Sequence, residues 1–135
     1  MNYLEYIENL KSDNGFIKKI GIEYGEYGEG HATGRLKLDD SNLNPFGDAH
    51  GGCIFTLADT IGGTAALTRG CNVCTLSSTI EYLHAGRDTE YLYAEASEVK
   101  NGRTISVYDI MITDDKGTNI AKATISYYKL NPIKP

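Results

Sequence analysis

A run of apolar residues behind a pair of glycines most constrains how this chain can fold. Asp48, just upstream, is interpreted as a helix cap, and Arg69-Gly70 as a cationic last turn with a glycine stop. A helix that is apolar on nearly every side is normally buried, so the pattern predicts a long central helix from Gly51 to about Arg69. The apolar residues that cover most of its circumference are Ile54, Phe55, Leu57, Ala58, Ile61, Ala65, Ala66 and Leu67.

Two features of this predicted helix are unusual for a purely structural element. Asp59 is its only acidic residue, and a carboxylate is costly to bury without partners. Gly51-Gly52 opens the helix, where backbone N–H groups are accessible at the positive end of the helix dipole. A helix with open donors at its start and a lone carboxylate two turns later is typical of a ligand site.

Composition and charge narrow the class of protein. The 135 residues fit one domain, predicted to span residues 1–135. A net charge of −5 without a basic stripe argues against nucleic acid as the main partner. The start of the chain has no signal-like or membrane-spanning stretch, so we expect a cytoplasmic protein with reduced cysteines and no membrane partner. Cys71 and Cys74 have metal-like spacing but lack a second ligand pair, so no metal site is predicted.

The residues before the central helix predict a helix, two strands and a loop. Apolar spacing over residues 3–10 indicates a short amphipathic helix that ends near residues 12–15. Residues 16–28 are interpreted as a strand, and residues 31–38 as a half-buried strand, because apolar and polar side chains alternate there. Residues 39–49 are polar and rich in turn formers, which predicts a loop.

The residues after the central helix predict strands only. Asn101-Gly102 is the strongest hairpin signal, because this pair suits the primed turn of a right-twisted ladder. The ten tyrosines are expected to pack the faces of the sheet. The order of elements predicts an α+β fold, with an antiparallel sheet of about six strands wrapped around the long central helix. The four late strands are interpreted as a meander over residues 75–82, 90–100, 104–113 and 119–130.

The glycine pair, the histidine before it and the carboxylate form one motif. His50-Gly51-Gly52 is followed, eight residues after Gly51, by Asp59. With this motif the chain resembles the hotdog-fold acyl-CoA thioesterases of the phenylacetate-pathway type, over nearly its whole length and element order. Residues 75–83 look like the family's strand after the helix, and residues 100–104 look like its penultimate hairpin. The family usually has a proline where this chain has His84-Ala85-Gly86, a departure that affects substrate contacts near His84.

Thioester hydrolysis needs a donor for the charge that develops on the carbonyl oxygen, and a base or nucleophile. The N–H of Gly51 can supply the donor, and a glycine lets the thioester approach closely. Asp59 can act as a general base towards water or as a direct nucleophile. The family places an asparagine at Asn44, whose amide can orient water or the thioester. His50 is placed among the catalytic residues, where its ring either fixes the entry of the helix, which is the favoured interpretation, or transfers a proton.

A hydroxyl group and contacts to the nucleotide complete the predicted site. Thr75 or Ser77, on the strand after the helix, offers the hydroxyl, and the resemblance favours Thr75. Gly52 is placed among the substrate-binding residues. Coenzyme A enters as part of the substrate, and no cofactor is expected. The hairpin residues are expected to lie at the substrate, with the two cations on the nucleotide phosphates: Lys100, Asn101, Gly102 and Arg103.

The spacing on the helix implies a site shared between two chains. Gly51 and Asp59 lie about 12 Å apart along a helix axis that rises 1.5 Å per residue, so one carbonyl carbon cannot touch both. A two-fold dimer with its central helices side by side brings Gly51 of one chain near Asp59 of the other. The family's dimeric hotdog arrangement agrees, and a homodimer or a dimer of dimers is expected.

The predicted function is hydrolysis of an acyl-CoA with an aromatic or medium-chain acyl group. A non-catalytic acyl-CoA-binding module or regulator is the alternative, although binding alone does not need a buried carboxylate. A hotdog dehydratase or hydratase would need a paired histidine and acid, and neither His31 nor His84 has such a partner in the sequence. The sequence does not distinguish among acyl groups.

Overall fold

A computed structural model of the chain describes residues 3–12 and 14–134. The helices are α1 (Tyr3–Ser12), α2 (Gly15–Ile20) and α3 (Gly51–Leu67), with a 3-10 turn at Asp40–Asn42. The strands are β1 (Ile22–Gly28), β2 (His31–Lys37), β3 (Cys71–Tyr82), β4 (Tyr91–Asn101), β5 (Ile105–Asp114) and β6 (Asn119–Pro132). They form one antiparallel sheet in the order β1-β2-β4-β5-β6-β3. The predicted α+β class, with six antiparallel strands and a central helix, is confirmed.

The helix α3 packs across one face of the sheet and forms the centre of the core. Its buried residues include Leu57 and Ile61, both fully inaccessible to solvent. Small side chains on the facing strands let the helix lie close to them, and a Cβ added at Gly34 would lie only 2.3 Å from Ile61 Cδ1. The alanines that form this low surface are Ala32, Ala94, Ala96, Ala121 and Ala123.

The start of the predicted first strand is a helix instead. Residues 15–20 form α2, because Asn14 Oδ1 accepts hydrogen bonds from the N–H groups of Phe16 and Ile17 and caps its first turn. Gly21 ends α2 in the left-handed conformation at φ +93°, and its N–H donates to the Ile17 carbonyl. The strand interpretation of residues 16–20 was therefore wrong. The predicted turn before it included Asp13, which lies outside the described residues.

Two details of the predicted strand region are also corrected. The last four strands are not a meander, because β3 pairs with β6 at the edge of the sheet and only β4, β5 and β6 follow one another as neighbours. The hairpin between β4 and β5 exists, but Asn101 and Gly102 do not have the positive φ of a primed turn. β4 ends at Asn101 and β5 begins at Ile105, each one residue later than predicted. The Gly102 N–H donates to the Ile105 carbonyl at 3.0 Å and closes the turn.

Candidate active site

Asp59 lies in the middle of α3 and is held by hydroxyl groups from two strands. Its Oδ1 accepts a hydrogen bond from Thr75 Oγ1 at 2.8 Å, and Tyr127 OH lies 3.2 Å from the same oxygen. The Tyr127 hydroxyl is also 3.1 Å from the backbone carbonyl of Asp59. Among the described residues nothing bonds to Oδ2. One carboxylate oxygen is therefore anchored, while the other is available to water or substrate.

The register of the sheet brings the two hydroxyls together. Thr75 on β3 pairs directly with Tyr127 on β6, so both side chains project from the same face of the sheet towards α3. The register shifts between Thr75 and Ser77, so Leu76 forms a bulge that separates the two hydroxyl candidates. Thr75 contacts Asp59, whereas Ser77 pairs with Ser126 and makes no side-chain hydrogen bond within the described part of the chain.

The first turn of α3 presents one unoccupied backbone donor. His50 is the N-cap residue, and its Nδ1 accepts from the Gly52 N–H at 2.9 Å. A Cβ at Gly52 would lie 3.1 Å from that nitrogen, so the glycine makes room for the cap. The Gly51 N–H donates to no described residue, and a Cβ there would meet Tyr82 only at ordinary contact distance, 3.4 Å. Packing thus accounts for Gly52, and the Gly51 N–H is left open.

Asp48 does not cap α3, contrary to the sequence interpretation, because Arg87 binds it instead. Arg87 Nε and Nη2 lie 2.6 Å and 3.0 Å from the two carboxylate oxygens of Asp48. This ion pair ties the β3–β4 connection to the loop before α3. Asn44 shapes the same loop, since its Oδ1 accepts from the N–H groups of Phe46 and Asp48 while no described group bonds its Nδ2.

Two cavities contain four of the predicted site residues, while His50, Gly52 and Ser77 line neither cavity. The carboxylate cavity, about 600 Å³, contains Asp59, Thr75 and Tyr127, with apolar walls that include Ile7 on α1 and Leu130 on β6. The donor cavity, about 380 Å³, is lined by residues from the other end of α3 and its surroundings: Asn44, Gly51, Ile54, Tyr82 and His84. No residue lines both cavities. Within one chain, the open donor and the carboxylate are therefore separated.

Tyrosines define both cavities, and the sequence interpretation had assigned them only to packing. Tyr82 OH donates to the Gly51 carbonyl at 3.0 Å, and burial raises the pKa of this phenol. Burial also raises the pKa of Tyr127, and the adjacent charge of Asp59 adds to the effect. The available signal was that a buried tyrosine hydroxyl usually has a hydrogen-bond partner.

The hairpin residues lie away from both cavities. Lys100 and Arg103 are exposed at the tip between β4 and β5, and neither forms an ion pair with a described residue. Asn101 and Gly102 line neither cavity. A further cavity of about 560 Å³ lies on the sheet face opposite α3, around Arg35 and Tyr93, and contains no predicted site residue.

The described residues contain neither a helix suited to crossing a membrane nor a cluster of side chains suited to a metal ion. No helix there is long and apolar enough to cross a membrane. No group of three or more histidine, cysteine, aspartate or glutamate side chains in those same ranges is arranged to hold a metal ion.

The chain is similar to characterised and solved thioesterases. It is 31% identical to the acyl-coenzyme A thioesterase PaaI of Escherichia coli over 104 residues, which cover 77% of this chain and 74% of that protein. The solved structure of the E. coli PaaI protein from the phenylacetic acid degradation operon aligns with a TM-score of 0.91 at 25% identity, over 98% of this chain and 96% of that one.

Two streptococcal structures contain a bound coenzyme. The hypothetical thioesterase protein of Streptococcus pneumoniae, solved with coenzyme A, has a TM-score of 0.85 and 32% identity over 95% of this chain and 99% of that one. A Streptococcus mutans protein bound to acetyl-CoA has a TM-score of 0.81 and 33% identity over 84% and 92% of the two chains. Variants of the S. pneumoniae protein, in which an aspartate or a threonine is replaced by alanine, have TM-scores of 0.78 and 36% identity. They cover 82% of this chain and 92% and 91% of the variant chains, respectively.

The family match covers the centre of the molecule. The thioesterase superfamily matches residues 46–121, which run from the loop before α3 into β6 and include Gly51, Asp59 and Thr75. This range is more than half of the chain. The fold, with its sheet around α3, aligns with that of the solved E. coli PaaI protein. The chain therefore belongs to the thioesterase superfamily and is a PaaI-like hotdog thioesterase.

Proposed function

We propose that this protein hydrolyses the thioester bond of an acyl-coenzyme A, releasing the free acid and coenzyme A. The similarity to the acyl-coenzyme A thioesterase PaaI and to proteins solved with coenzyme A and acetyl-CoA supports this substrate class. If Asp59 is a general base, it takes a proton from water, the water oxygen adds to the carbonyl carbon, and the carbon–sulfur bond then breaks. If Asp59 is the nucleophile, its oxygen adds to the carbonyl carbon, the carbon–sulfur bond breaks to leave an acyl anhydride, and water then hydrolyses the anhydride. In both routes the coenzyme leaves as its thiol after taking up a proton.

The observation that carries the proposal is the half-anchored carboxylate of Asp59. Thr75 and Tyr127 hold Oδ1, so Oδ2 is fixed in direction yet free to act as general base or nucleophile. The S. pneumoniae variants replace an aspartate and a threonine separated by the same 16 residues that separate Asp59 and Thr75 here. That spacing supports the assignment of Asp59 and Thr75 to the reaction centre.

The carbonyl oxygen of the thioester is proposed to accept a hydrogen bond from the Gly51 N–H of a second chain. Support comes from the separation of the two half-sites into different cavities, one at the start of α3 and one along its second half. Residues 74–79 of the edge strand β3 are exposed, which leaves a long unpaired edge beside α3 for a second copy. A homodimer with its α3 helices side by side would unite Asn44 and Gly51 of one chain with Asp59 of the other, twice.

The acyl group is proposed to enter the carboxylate cavity, and the nucleotide to extend towards the hairpin. The cavity volume of about 600 Å³ falls in the range of small-molecule sites, and Ile7, Leu10 and Leu130 give it apolar walls. Such walls suit an aromatic or medium-chain acyl group. Lys100 and Arg103 are the exposed cations proposed to bind the phosphates.

A thiol-release assay with acetyl-, octanoyl-, phenylacetyl- and palmitoyl-CoA tests the proposal. Asp59→Asn should lower kcat by at least roughly a hundredfold on the preferred substrate while leaving the fold intact, because the base or nucleophile is lost. Asp109→Asn is the matched control, since Asp109 also accepts a hydrogen bond from a threonine, Thr124, at 3.0 Å but lines neither cavity. It should retain nearly full activity.

Two outcomes would contradict the proposal. Near-wild-type turnover by folded Asp59→Asn would remove Asp59 from the mechanism. Tight binding of acyl-CoA by the wild-type protein without thiol release would favour the non-catalytic binding module instead. Circular dichroism and thermal melting of both variants establish that the comparison is between folded proteins.

A further inference from the structure

Tyr127 is a buried polar side chain whose hydroxyl lies beside the carboxylate of Asp59. Only 1% of the residue is exposed to solvent, and its OH lies 3.2 Å from Asp59 Oδ1 and 3.1 Å from the Asp59 carbonyl. A hydroxyl buried without a partner would be costly. Here both acceptors belong to Asp59, and the one O–H proton is shared between its carboxylate and its carbonyl, so the phenol connects the side chain of Asp59 to the backbone of α3.

The space for this hydroxyl is provided by a glycine on α3. A Cβ added at Gly62 would lie 2.4 Å from Tyr127 OH, closer than any side chain tolerates. Glycine inside a helix is unfavourable by about 1 kcal/mol relative to alanine, so its presence needs a packing reason. On another side, the ring of Tyr108 meets that of Tyr127 edge to face, with centroids 6.0 Å apart. The phenol is thus held in one position.

We propose that Tyr127 is the positioning residue that directs the reactive oxygen of Asp59. Its hydroxyl and that of its cross-strand partner Thr75 both reach Oδ1, and two donors on one oxygen fix the plane and rotation of the carboxylate. Oδ2 then points consistently into the carboxylate cavity. The inference rests on the proposed function of Asp59, but it concerns a different residue and has its own readout.

The phenol is a dependable donor to this carboxylate. Burial raises the pKa of Tyr127, so the phenol stays protonated and keeps its proton for the hydrogen bond to Asp59. A hydrogen bond to a charged group is stronger than one between neutral groups, so its loss releases the rotation of the carboxylate.

Tyr127→Phe tests the proposal, because it removes the hydroxyl and keeps the ring. We expect kcat to fall roughly tenfold, as for loss of a hydrogen bond to a charged group, with a smaller change in KM. The fall should remain when kcat is expressed per folded molecule, with the folded fraction measured by circular dichroism and thermal melting, because it arises at Asp59. A purely structural role would leave kcat per folded molecule unchanged.

Tyr108→Phe is the matched control. Tyr108 is also fully buried in the same core, but its hydroxyl faces the Ala65 carbonyl at 3.5 Å rather than Asp59. Its kcat per folded molecule should stay within about twofold of wild type. Gly62→Ala is a second variant, whose added methyl group displaces the Tyr127 hydroxyl and should reproduce the fall in kcat.

A measurement independent of activity separates this inference from the proposed function. The ¹³C signal of the Asp59 carboxyl group, identified by its loss in Asp59→Asn, can be recorded for each protein under one set of conditions. It should move in Tyr127→Phe, which removes a hydrogen bond to Oδ1, and stay in place in Tyr108→Phe; an unmoved signal in Tyr127→Phe would overturn the positioning role. If Tyr127→Phe does not fold, the same comparison with Gly62→Ala decides. A moved signal in a protein that does not need Asp59 for turnover would uphold the positioning and reject the proposed function.

Discussion

Asp59 depends on residues that are distant in sequence for the direction of its free oxygen. Thr75 follows it by 16 residues and Tyr127 by 68, yet both hydroxyls reach the same carboxylate oxygen. A bond from a neutral donor to a charged group is stronger than one between neutral groups, so each donor matters for orientation. The bulge at Leu76 decides which of two nearby hydroxyls takes part.

Removing the hydroxyl of Thr75 should therefore lower kcat, whereas removing the hydroxyl of Ser77 should not. Thr75→Val keeps the shape of the side chain but removes the donor to Asp59, and kcat should fall roughly tenfold. Ser77→Ala should stay within about twofold of wild type, because this hydroxyl forms no hydrogen bond among the residues described. Steady-state kinetics on the preferred acyl-CoA checks both. The reverse pattern would mean that Ser77, not Thr75, serves the reaction centre.

At the residue scale, the sequence revealed the open start of α3 and the carboxylate in its middle, but not the tyrosine that holds this carboxylate. Gly51 and Asp59 were identifiable because an open glycine start and a lone acid are unusual in an apolar helix. Tyr127 was not, because it is one of ten tyrosines and its contact depends on the pairing of β6 with β3. β3 and β6 are separated along the chain by β4 and β5, and no local sequence pattern predicts that they pair.

At the scale of elements, the long helix was predictable and the short one was not. The pattern predicted α3 to within about two residues at its end, since many apolar positions repeat at one period. The helix α2 has only six residues, too few for a period to stand out from a strand-like composition. Its ends were nevertheless marked in the sequence, by Asn14 as N-cap and Gly21 as C-cap.

The β4–β5 hairpin is proposed to contact the nucleotide of acyl-CoA through its two cations. Lys100→Ala combined with Arg103→Ala should raise KM for acyl-CoA and spare short thioesters that lack the nucleotide, because only the nucleotide offers phosphates to these cations. The pair Lys116→Ala and Lys122→Ala removes the same charge from other exposed positions and controls for net charge. Equal effects of the hairpin double variant on both substrate types would exclude a nucleotide contact.

At the scale of the whole molecule, the edge position of β3 separates the sheet from a simple meander. The chain leaves β3 at one edge, crosses to β4 beside β2, and returns through β5 and β6 to pair with β3. Strand patterns in the sequence give the number of strands but not this order, because each strand alone looks the same in either arrangement. The order matters for the proposed shared site, since it puts the exposed residues 74–79 of β3 at an edge of the sheet, where a second copy is proposed to bind.

Mixing two inactive variants tests the shared site. Asn44→Ala loosens the loop before Gly51, and Asp59→Asn removes the carboxylate, so each should be nearly inactive alone. A mixed dimer then has one intact site and one doubly damaged site. With random exchange, half of the dimers are mixed, and the preparation should recover about a quarter of wild-type activity per site. The measurement is acyl-CoA hydrolysis after the variants are refolded together in equal amounts.

The complementation has one prerequisite and one decisive failure. Asn44→Ala must first be shown to be severely impaired on its own. Subunit exchange is verified by mass spectrometry of differently labelled chains. If exchange is complete and mixing restores nothing, Gly51 and Asp59 act within one chain, and the separation of the two cavities does not reflect the working site.

The contact between Gly62 and the Tyr127 hydroxyl also constrains how this sequence can change over evolutionary time. A side chain at position 62 and a tyrosine at position 127 compete for the same space, so position 62 cannot gain a side chain while the tyrosine is present. Loss of the tyrosine would free position 62 to become alanine and gain helix stability. Once that alanine is present, return of the tyrosine is blocked. The pair therefore acts as a ratchet, and the two positions are expected to covary among descendants of this protein.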